Sequence, residues 1–426
     1  MGGATRTWDV VVVGAGLAGL TAASVLRRAG RDVLVLEARD EVGGRTRSRT
    51  VDGGVTDFGG EWVGWAHRGM RRLVGELGLD LEPAGMLGAP VLWRLPCGET
   101  GGRLPPVRVW RDLLRVHARA ARDGHGIHPD APWRARWADE LDAWSVADWL
   151  DELDLGADSR YLVERVLGAL VCASPDTVSL LHLLWLARLA GGPLRSLHTT
   201  FQWRIAQGAQ EVAVRLAAAL GGAVRLDSFV SGVAQDGGLD GVTVYTVDRT
   251  YRARRAVVAV PVSRLATVDF DPPLPAGQRA LSGLRVGAGT KAVATLPAGH
   301  PVRHRTVVGG DVLWGAWRRG DRVTGFVPAV AGAMPDDVLL ADLAVAFRTR
   351  PELLRSAQVF RWAEQEHVLG CDVAFAPGEV CRLGPVLARP HGLVRFAGAE
   401  RSGWPNNMEG AVRGGERAAR ETLAEM

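Results

Sequence analysis

A glycine-rich turn has the residue types and spacing of a phosphate-binding loop. Gly14, Gly16 and Gly19 follow an apolar, β-branched run and precede an Ala- and Leu-rich stretch. The first glycine allows a tight turn, the second lets backbone approach a pyrophosphate, and the third lets a helix pack closely on a strand. The helix N-terminus carries partial positive charge that favours phosphate. Glu37 follows about twenty residues later, where a carboxylate can accept both hydroxyls of a ribose.

The flanking sequence predicts the elements that would position these residues. Trp8–Val13 is predicted to be a buried strand, Leu20–Ala29 a helix, and Arg31–Leu36 a second apolar strand ending at Glu37. Strands that are apolar on both faces are typical of parallel sheets covered by helices. The combination indicates a dinucleotide site and disfavours the alternative, a glycine-rich loop without a ligand.

Two further segments extend this site. Gly43–Arg45 is a second glycine-rich segment, which follows Glu37 closely and ends in a cation. An arginine there suits recognition of phosphate oxygens. Gly59–Trp62 places two adjacent glycines before an acid and an aromatic residue, which indicates backbone lying against a flat ring.

Lys291 is the only lysine among 51 Lys and Arg residues. Lysine and arginine differ in shape, hydration and the ease with which their pKa shifts, so a lone lysine indicates a position that a guanidinium cannot fill. Chance survival is the alternative, and composition alone does not decide between them.

Composition excludes several classes of protein. A chain of 426 residues predicts two or more lobes. The net charge is only +4 and the basic residues are dispersed, which disfavours nucleic-acid binding. The four cysteines form no C-x-x-C pair, which argues against zinc and predicts no metal and a reducing compartment. The absence of a signal-like start or a long apolar run predicts a cytoplasmic protein without a membrane partner.

Seven motifs, in order along the chain, resemble those of the flavin monoamine oxidase family. They are Trp62–Leu79, Gln207–Gln210, Asp227–Val233, Ala256–Pro261, Gly287–Lys291, Phe396–Glu400 and Trp404–Ala411. Ala209 breaks the family pattern of the second motif. Ordered matches over roughly 400 residues are far more specific than any single glycine motif.

The resemblance implies an α/β fold. A Rossmann-like, two-dinucleotide-binding FAD domain, with a parallel sheet and a β-meander, would carry an inserted α+β substrate domain. The FAD domain would comprise residues 1–78, 201–262 and 384–426, and the substrate domain residues 79–200 and 263–383. Helical spacing within 139–192 and alternation within 223–260 independently favour this division.

The resemblance also implies which residues hold FAD. They are Gly14, Ala15, Gly16, Leu17, Ala18, Gly19, Glu37, Ala38, Arg39, Gly43, Gly44, Arg45, Gly59, Gly60, Glu61, Trp62, Val230, Gly398, Glu400, Asn407 and Met408. Cys371 follows Trp362 at the spacing of the cysteine that some members bond to the flavin. The next residue departs from the pattern of those members, so we expect non-covalent FAD, with attachment through Cys371 as the alternative.

Four catalytic residues follow from the same resemblance. The lysine at the position of Lys291 holds a water against flavin N5, and the tryptophan at the position of Trp362 packs at the isoalloxazine. An ordinary core tryptophan is the alternative for Trp362. The two tyrosines of the family's aromatic cage are replaced by Asp372 and Asn407. The three tyrosines of the chain lie elsewhere, at Tyr161, Tyr245 and Tyr251.

Asp372 changes what the cage position can do. An alkyl amine with a pKa of about 10.4 is mostly cationic near neutral pH, and a carboxylate keeps it so. Asp372 therefore helps amine oxidation only if it also accepts a proton as a general base. The alternatives are recognition of a distant cationic or hydroxyl group and a structural pair with an arginine.

The leading hypothesis is an FAD-dependent oxidoreductase in specialised metabolism. It would oxidise a small amine or amino-acid-derived substrate by hydride transfer to flavin N5, with O2 as acceptor. The second is an FAD-dependent desaturase or tailoring enzyme acting on a C–C or C–N bond of a larger polar intermediate. A redox-silent FAD-binding protein is disfavoured because Lys291 is present. We expect a monomer or a homodimer.

Overall fold

The computed structural model describes residues 6–85, 89–189, 200–236, 241–328 and 334–426. The helices are α1 Leu17–Arg28, α2 Arg68–Glu76, α3 Val107–Asp123, α4 Ala138–Ala143, α5 Val146–Asp151, α6 Ala157–Val171, α7 Leu180–Leu189, α8 Gln210–Leu220, α9 Ala276–Arg279, α10 Asp336–Ala346, α11 Glu379–Leu383 and α12 Met408–Ala424. The strands are β1 Thr7–Val13, β2 Val33–Leu36, β3 Ser48–Val51, β4 Gly54–Asp57, β5 Leu81–Pro83, β6 Val91–Leu95, β7 Gly98–Gly102, β8 Trp203–Ile205, β9 Val224–Arg225, β10 Val230–Gln235, β11 Val242–Thr246, β12 Thr250–Val258, β13 Asp269–Asp271, β14 Thr290–Thr295, β15 Thr306–Val308, β16 Gly315–Arg319, β17 Arg322–Val327, β18 Arg355–Arg361 and β19 Val394–Phe396.

The larger sheet joins three distant parts of the chain. Its order is β13-β10-β11-β12-β1-β2-β9, and β19 pairs with β12. β1 runs parallel to both β2 and β12, whereas β10, β11 and β12 form an antiparallel meander. The predicted parallel sheet with a β-meander is confirmed.

β1 is buried on both faces because helices cover each side of this sheet. Val10 and Val12 belong to an apolar cluster that includes residues of α1, α8 and α12. Val11 and Val13 belong to the opposite cluster, which includes residues of α3, α5 and α7. The sequence-based prediction of a strand apolar on both faces is therefore confirmed, and α1 is held directly above the turn that β1 feeds.

A second, seven-stranded sheet has the order β18-β14-β17-β16-β15-β6-β7. Its strands come from both ranges predicted for the substrate domain. β13 lies in the second of those ranges, yet it pairs in parallel with β10 of the larger sheet. The predicted boundary at residue 262 therefore leaves out one strand of that sheet, because β10 needs a partner along its outer edge.

The most apolar helical stretch of the sequence forms α7, which has ten residues. Its residues Leu180–Trp185 are buried, and the apolar ones belong to the core cluster on one face of the larger sheet. None of the helices in the described ranges combines the length and apolar character needed to cross a bilayer.

Candidate active site

A cavity of about 770 Å³ runs from the glycine turn after β1 to the second sheet. Every residue predicted from the sequence to bind the cofactor or act in catalysis lines it, except Ala15 and Gly19. Ala15 is fully buried behind the wall. A Cβ at Gly19 would clash with the carbonyl oxygen of Gly14, so Gly19 allows α1 to pack tightly on β1.

The phosphate end of the cavity fits an anion. Gly16 is the N-cap of α1, where no side chain caps the helix and no acid lies in the first turn. The first backbone N–H groups of a helix have no acceptor within the helix, and the oxygens of a phosphate would supply one. The second glycine turn lies against the first, since a Cβ at Gly44 would come within 3.2 Å of the Gly16 Cα. The two turns therefore fit a pyrophosphate between backbone segments.

Glu37 is held by two backbone N–H groups at the end of β2. Ala15 N donates to Oε2 at 2.6 Å, and Arg39 N donates to Oε1 at 3.0 Å. Burial raises the pKa of Glu37, although these hydrogen bonds and Arg39 oppose the shift. A carboxylate accepts about four hydrogen bonds, so the predicted ribose contact stays compatible with this arrangement.

Arg45 forms a buried ion pair that joins the N-terminal glycine turn to the C-terminal motif. Its Nη1 lies 2.5 Å from Glu400 Oε1 and donates to the carbonyl oxygen of Cys371 at 2.6 Å. Burial raises the pKa of Glu400, but Arg45 outweighs it and the net pKa is lowered. The charge of Arg45 is thus balanced by a protein carboxylate, and its contact with the FAD phosphates stays a prediction.

Lys291 lies on β14, and three protein acceptors surround its ammonium. Nζ donates to the carbonyl oxygens of Asp57 and Gly59 and to Glu61 Oε2, each at 2.9 Å. An ammonium has three donors, so all are engaged. If Lys291 is to hold a water against the flavin, as the resemblance implies, it must exchange one of these bonds.

Glu61 connects Lys291 to two residues that the sequence did not single out. Its Oε1 lies 3.0 Å from Arg204 Nε and accepts from Trp317 Nε1 at 3.1 Å. Arg204 is only 2% exposed and its guanidinium lies 4.4 Å from the Trp62 ring centre. One arginine among many carries no sequence signal, so only the fold reveals this network.

Trp362 packs against the Phe58–Gly59 backbone, which lines the cavity. Its Nε1 donates to the carbonyl oxygen of Phe58 at 2.9 Å. A Cβ at Gly59 would come within 2.8 Å of the Trp362 ring, which explains the glycine there. Trp362 lines the cavity and is 4% exposed, and its packing at the isoalloxazine stays a prediction.

Asp372 lines the cavity, away from bulk solvent. Burial raises its pKa to about 7, although Arg45 and a hydrogen bond from Cys172 oppose the shift. Cys172 Sγ lies 3.6 Å from Asp372 Oδ2. Near neutral pH this carboxyl group can therefore both hold and release a proton.

The ligand atoms of Cys172, Cys371 and Asp372 lie within 4.8 Å of one another. A hydrogen bond with Cys371 and burial raise the pKa of the Cys172 thiol well above its usual value. A metal needs deprotonated ligands, so a thiol with a raised pKa disfavours a cation at this set. The two thiols are instead polar neighbours of the Asp372 carboxyl group.

Asn407 and the preceding residue, Asn406, have different structural roles. The Asn407 side chain caps α12 by accepting from Gly410 N at 3.0 Å, although the residue also lines the cavity. Asn406, which the sequence reasoning missed, accepts from Val373 N at 3.0 Å and donates to Val373 O at 2.7 Å. Its φ of 65° is one that asparagine tolerates better than most residues. Asn406 thus fixes the backbone next to Asp372.

Beyond Lys291 and Asp372 the cavity becomes largely apolar. The second sheet and helices α3, α6 and α7 supply this wall, for example through Leu113, Val116, Leu162, Val166, Leu170, Leu183, Leu186, Val307, Trp314, Trp317 and Phe326. Among the described residues, the acidic ones that line the cavity are Glu37, Glu61, Asp372 and Glu400, none of which lies in α3, α6 or α7. We refer to this wall as the apolar sector.

Comparison with known proteins gives consistent results. The model of the flavin-containing amine oxidoreductase family matches residues 17–423. The flavin-containing amine oxidase B of Sus scrofa is 32% identical over 452 residues, covering 98% of this chain and 86% of that protein. Cyclohexylamine oxidase from Brevibacterium oxydans superimposes with a TM-score of 0.91 at 27% identity, covering 99% of both chains. Wild-type putrescine oxidase bound to putrescine superimposes with a TM-score of 0.89 at 27% identity, covering 99% of this chain and 100% of that one.

Proposed function

Because the chain belongs to the family of flavin-containing amine oxidoreductases, and is thus an FAD-dependent oxidoreductase, we propose that it oxidises a small amine or an amino-acid-derived amine. FAD, when bound, supplies a two-electron acceptor that takes hydride at N5 and passes the electrons to O2. The observation that supports this proposal most directly is the carboxyl group of Asp372, with a pKa of about 7, in the wall of the cavity.

Asp372 would bind the substrate ammonium and then accept its proton. The pKa of a free alkyl amine is about 10.4, roughly three units above that of Asp372. Burial in an apolar site lowers the pKa of an amine by up to about 3–5 units. Desolvation in this cavity can therefore bring the two groups close to balance, so that the neutral amine needed for oxidation becomes accessible.

The remaining residues would position the reacting parts. Arg45 and the glycine turns would hold the cofactor, and Trp362 would fix the backbone beneath its ring. The Lys291–Glu61–Arg204 network would keep a cation near the reacting edge in a fixed place, where it can stabilise negative charge that develops during electron transfer. The apolar sector would bind the body of the substrate and exclude water.

The positions of the carboxylates in the cavity wall restrict the class of amine that the site favours. Putrescine, which one similar structure contains, carries a second ammonium that needs an acceptor far from the reacting nitrogen. The described residues of α3, α6 and α7 place no carboxylate in the cavity wall. We therefore favour an amine with an apolar body over an aliphatic diamine.

The second candidate is the desaturation or tailoring of a larger polar intermediate. Asp372 favours it to the extent that a carboxyl group with a pKa of about 7 can also abstract a proton from carbon. Both candidates use the same cofactor site and differ in the bond that is oxidised.

Anaerobic mixing of the FAD-loaded protein with a panel of apolar amines tests the proposal. We expect bleaching of the oxidised flavin, followed in air by peroxide and, for primary amines, ammonia. No bleaching with any amine of the panel would overturn it. Formation of a C=C bond without loss of nitrogen from the substrate would support the second candidate instead.

A further inference from the structure

Arg165 is a cation in the wall of the apolar sector. It lies on α6 and lines the cavity. Within the described ranges it makes no ion pair, and the adjacent carboxylate of Glu164 is engaged by Arg160. Charged groups that line an enclosed site are normally paired, so Arg165 lacks the partner that most such arginines have.

Two aromatic rings hold Arg165 in place. Its guanidinium carbon lies 4.9 Å from the Tyr161 ring centre and 4.8 Å from that of Trp314. The Tyr161 hydroxyl donates to Gly310 O at 2.6 Å and accepts from Gly310 N at 2.9 Å. A Cβ at Gly168 would clash with Trp314, so that ring packs directly on α6. Both rings are therefore fixed, and the guanidinium that contacts them is positioned in advance.

A second donor near these rings lacks an acceptor. Trp93 lines the same cavity, and its Nε1 has no hydrogen-bond partner among the residues that the structure describes. Trp93 and Tyr161 pack against one small apolar cluster formed by Leu95, Val109 and Leu162. Two donors without protein acceptors in one region of an apolar wall indicate a site for an anionic group.

α6 also sets the distance between this site and the reacting end of the cavity. Arg165 precedes Cys172, the C-cap of α6, by seven residues, and a helix rises about 1.5 Å per residue, or about 10 Å over this span. Cys172 in turn contacts Asp372. A carboxyl group and a guanidinium that has no ion-pair partner among the described residues thus line one cavity, separated by about two turns of α6.

We propose that Arg165 binds an anionic group, such as a carboxylate, at the far end of the substrate. The planar guanidinium fork matches a carboxylate with two parallel hydrogen bonds. The substrate class is then an amine that carries an anion at the far end of an apolar body. The claim that the substrate is an amine rests on the proposed function. The claim that it carries an anion rests on Arg165 and not on the proposed function.

The test compares matched probes on the FAD-loaded protein. The probes are para-aminomethyl phenylpropanoate and its neutral methyl ester, and the dissociation constant comes from the concentration dependence of anaerobic flavin reduction. We expect the acid to bind at least about tenfold more tightly than the ester, because a charge-assisted pair forms only with the acid. Arg165→Met should abolish that preference, and Arg165→Lys, which lacks the fork, should retain part of it.

Arg160→Met is the control variant, because Arg160 lies on the same helix but pairs with Asp151 and Glu164 outside the cavity wall. It should keep the full preference for the acid. Equal affinities for acid and ester in the wild type, or a preference that survives Arg165→Met, would overturn the inference.

An amine-free probe separates this inference from the proposed function. Para-methyl phenylpropanoate has the anion and the apolar body but nothing to oxidise. We expect it to raise the melting temperature of the wild type and of Arg160→Met, but not of Arg165→Met. If that pattern holds while no amine reduces the flavin, the proposed function fails and the anion site stands.

Discussion

Lys291 Nζ and Glu61 Oε2 form a buried ion pair 2.9 Å long, in which both side chains are less than a tenth exposed. Two carbonyl oxygens take the other N–H groups of the ammonium. The single lysine of the chain is therefore anchored between the second sheet and the segment after β4. The ion pair therefore holds the positive charge of Lys291 at one position, whereas a mobile side chain would distribute that charge over several positions.

We expect Lys291→Met to slow reoxidation of reduced flavin by O2 at least about tenfold while FAD stays bound, because the cation that stabilises developing negative charge is lost. Stopped-flow mixing of photoreduced protein with air-saturated buffer measures it. Lys291→Arg separates charge from shape, since it keeps only the charge. Reoxidation at the wild-type rate in Lys291→Met would remove this residue from the oxidative half-reaction.

Asp372→Asn should change the pH dependence of amine oxidation. In the wild type we expect kcat/KM to rise with pH through about 7, as the carboxyl group loses its proton and becomes able to bind the ammonium and act as a base. Asp372→Asn should lose this rising limb of the pH profile of kcat/KM, and it should also lose most of its activity. A limb of unchanged position in Asp372→Asn would assign the titration to another group.

The same residue predicts a trend in stability. Its pKa is raised in the folded state to about 7 from 3.8, so the folded protein binds more protons than the unfolded chain between these values. Its contribution to stability is then complete below pH 3.8 and is lost as the pH rises through about 7. Urea unfolding of wild type and Asp372→Asn should diverge over that range, and parallel curves would contradict the raised pKa.

Cys371 bears on how FAD is held. Its Sγ donates to the carbonyl oxygen of Gly287 at 3.2 Å, and we predict that it forms no bond to the flavin. Acid precipitation should therefore release FAD from the wild type and from Cys371→Ala alike. An intact mass of denatured wild type that still includes FAD would show a covalent link.

Asn406 is predicted to be a positioning residue for Asp372. Asn406→Gly tolerates the same backbone conformation but loses both hydrogen bonds to Val373, at a cost of about 1–3 kcal/mol in unfolding free energy. We also expect the pH limb of kcat/KM to move upward, because a displaced Asp372 feels less of Arg45, which lowers its pKa. Loss of stability with the limb in place would leave Asn406 a purely structural role.

The sequence was sufficient for features that depend on neighbouring residues. The strand before Gly14, the helix after Gly16 and the acid ending β2 all follow from local patterns of apolar residues and glycines, and the structure has them. Nearly all residues predicted to bind FAD line one cavity. The family motifs, in order along the chain, were sufficient to identify them.

What could not be predicted involves pairs that only folding brings together. Glu61 lines the cavity as predicted for a residue that binds the cofactor, but the sequence did not predict its contacts with Arg204 and Trp317, each well over a hundred residues away. No periodicity or spacing couples such positions. Arg165 likewise resembles any other helical arginine until its contacts with the rings of Tyr161 and Trp314 are known.

The parallel pairing of β1 with β12 has a consequence for biosynthesis. Trp8 lies opposite Ala253, so β1 must wait for roughly 250 further residues, which takes about 10–50 s at ribosomal speeds of about 5–20 residues per second. During that interval an apolar strand edge has no native partner, and such edges aggregate readily. Recombinant yield should therefore respond to translation rate and to chaperone supply more than to the stability of the finished fold.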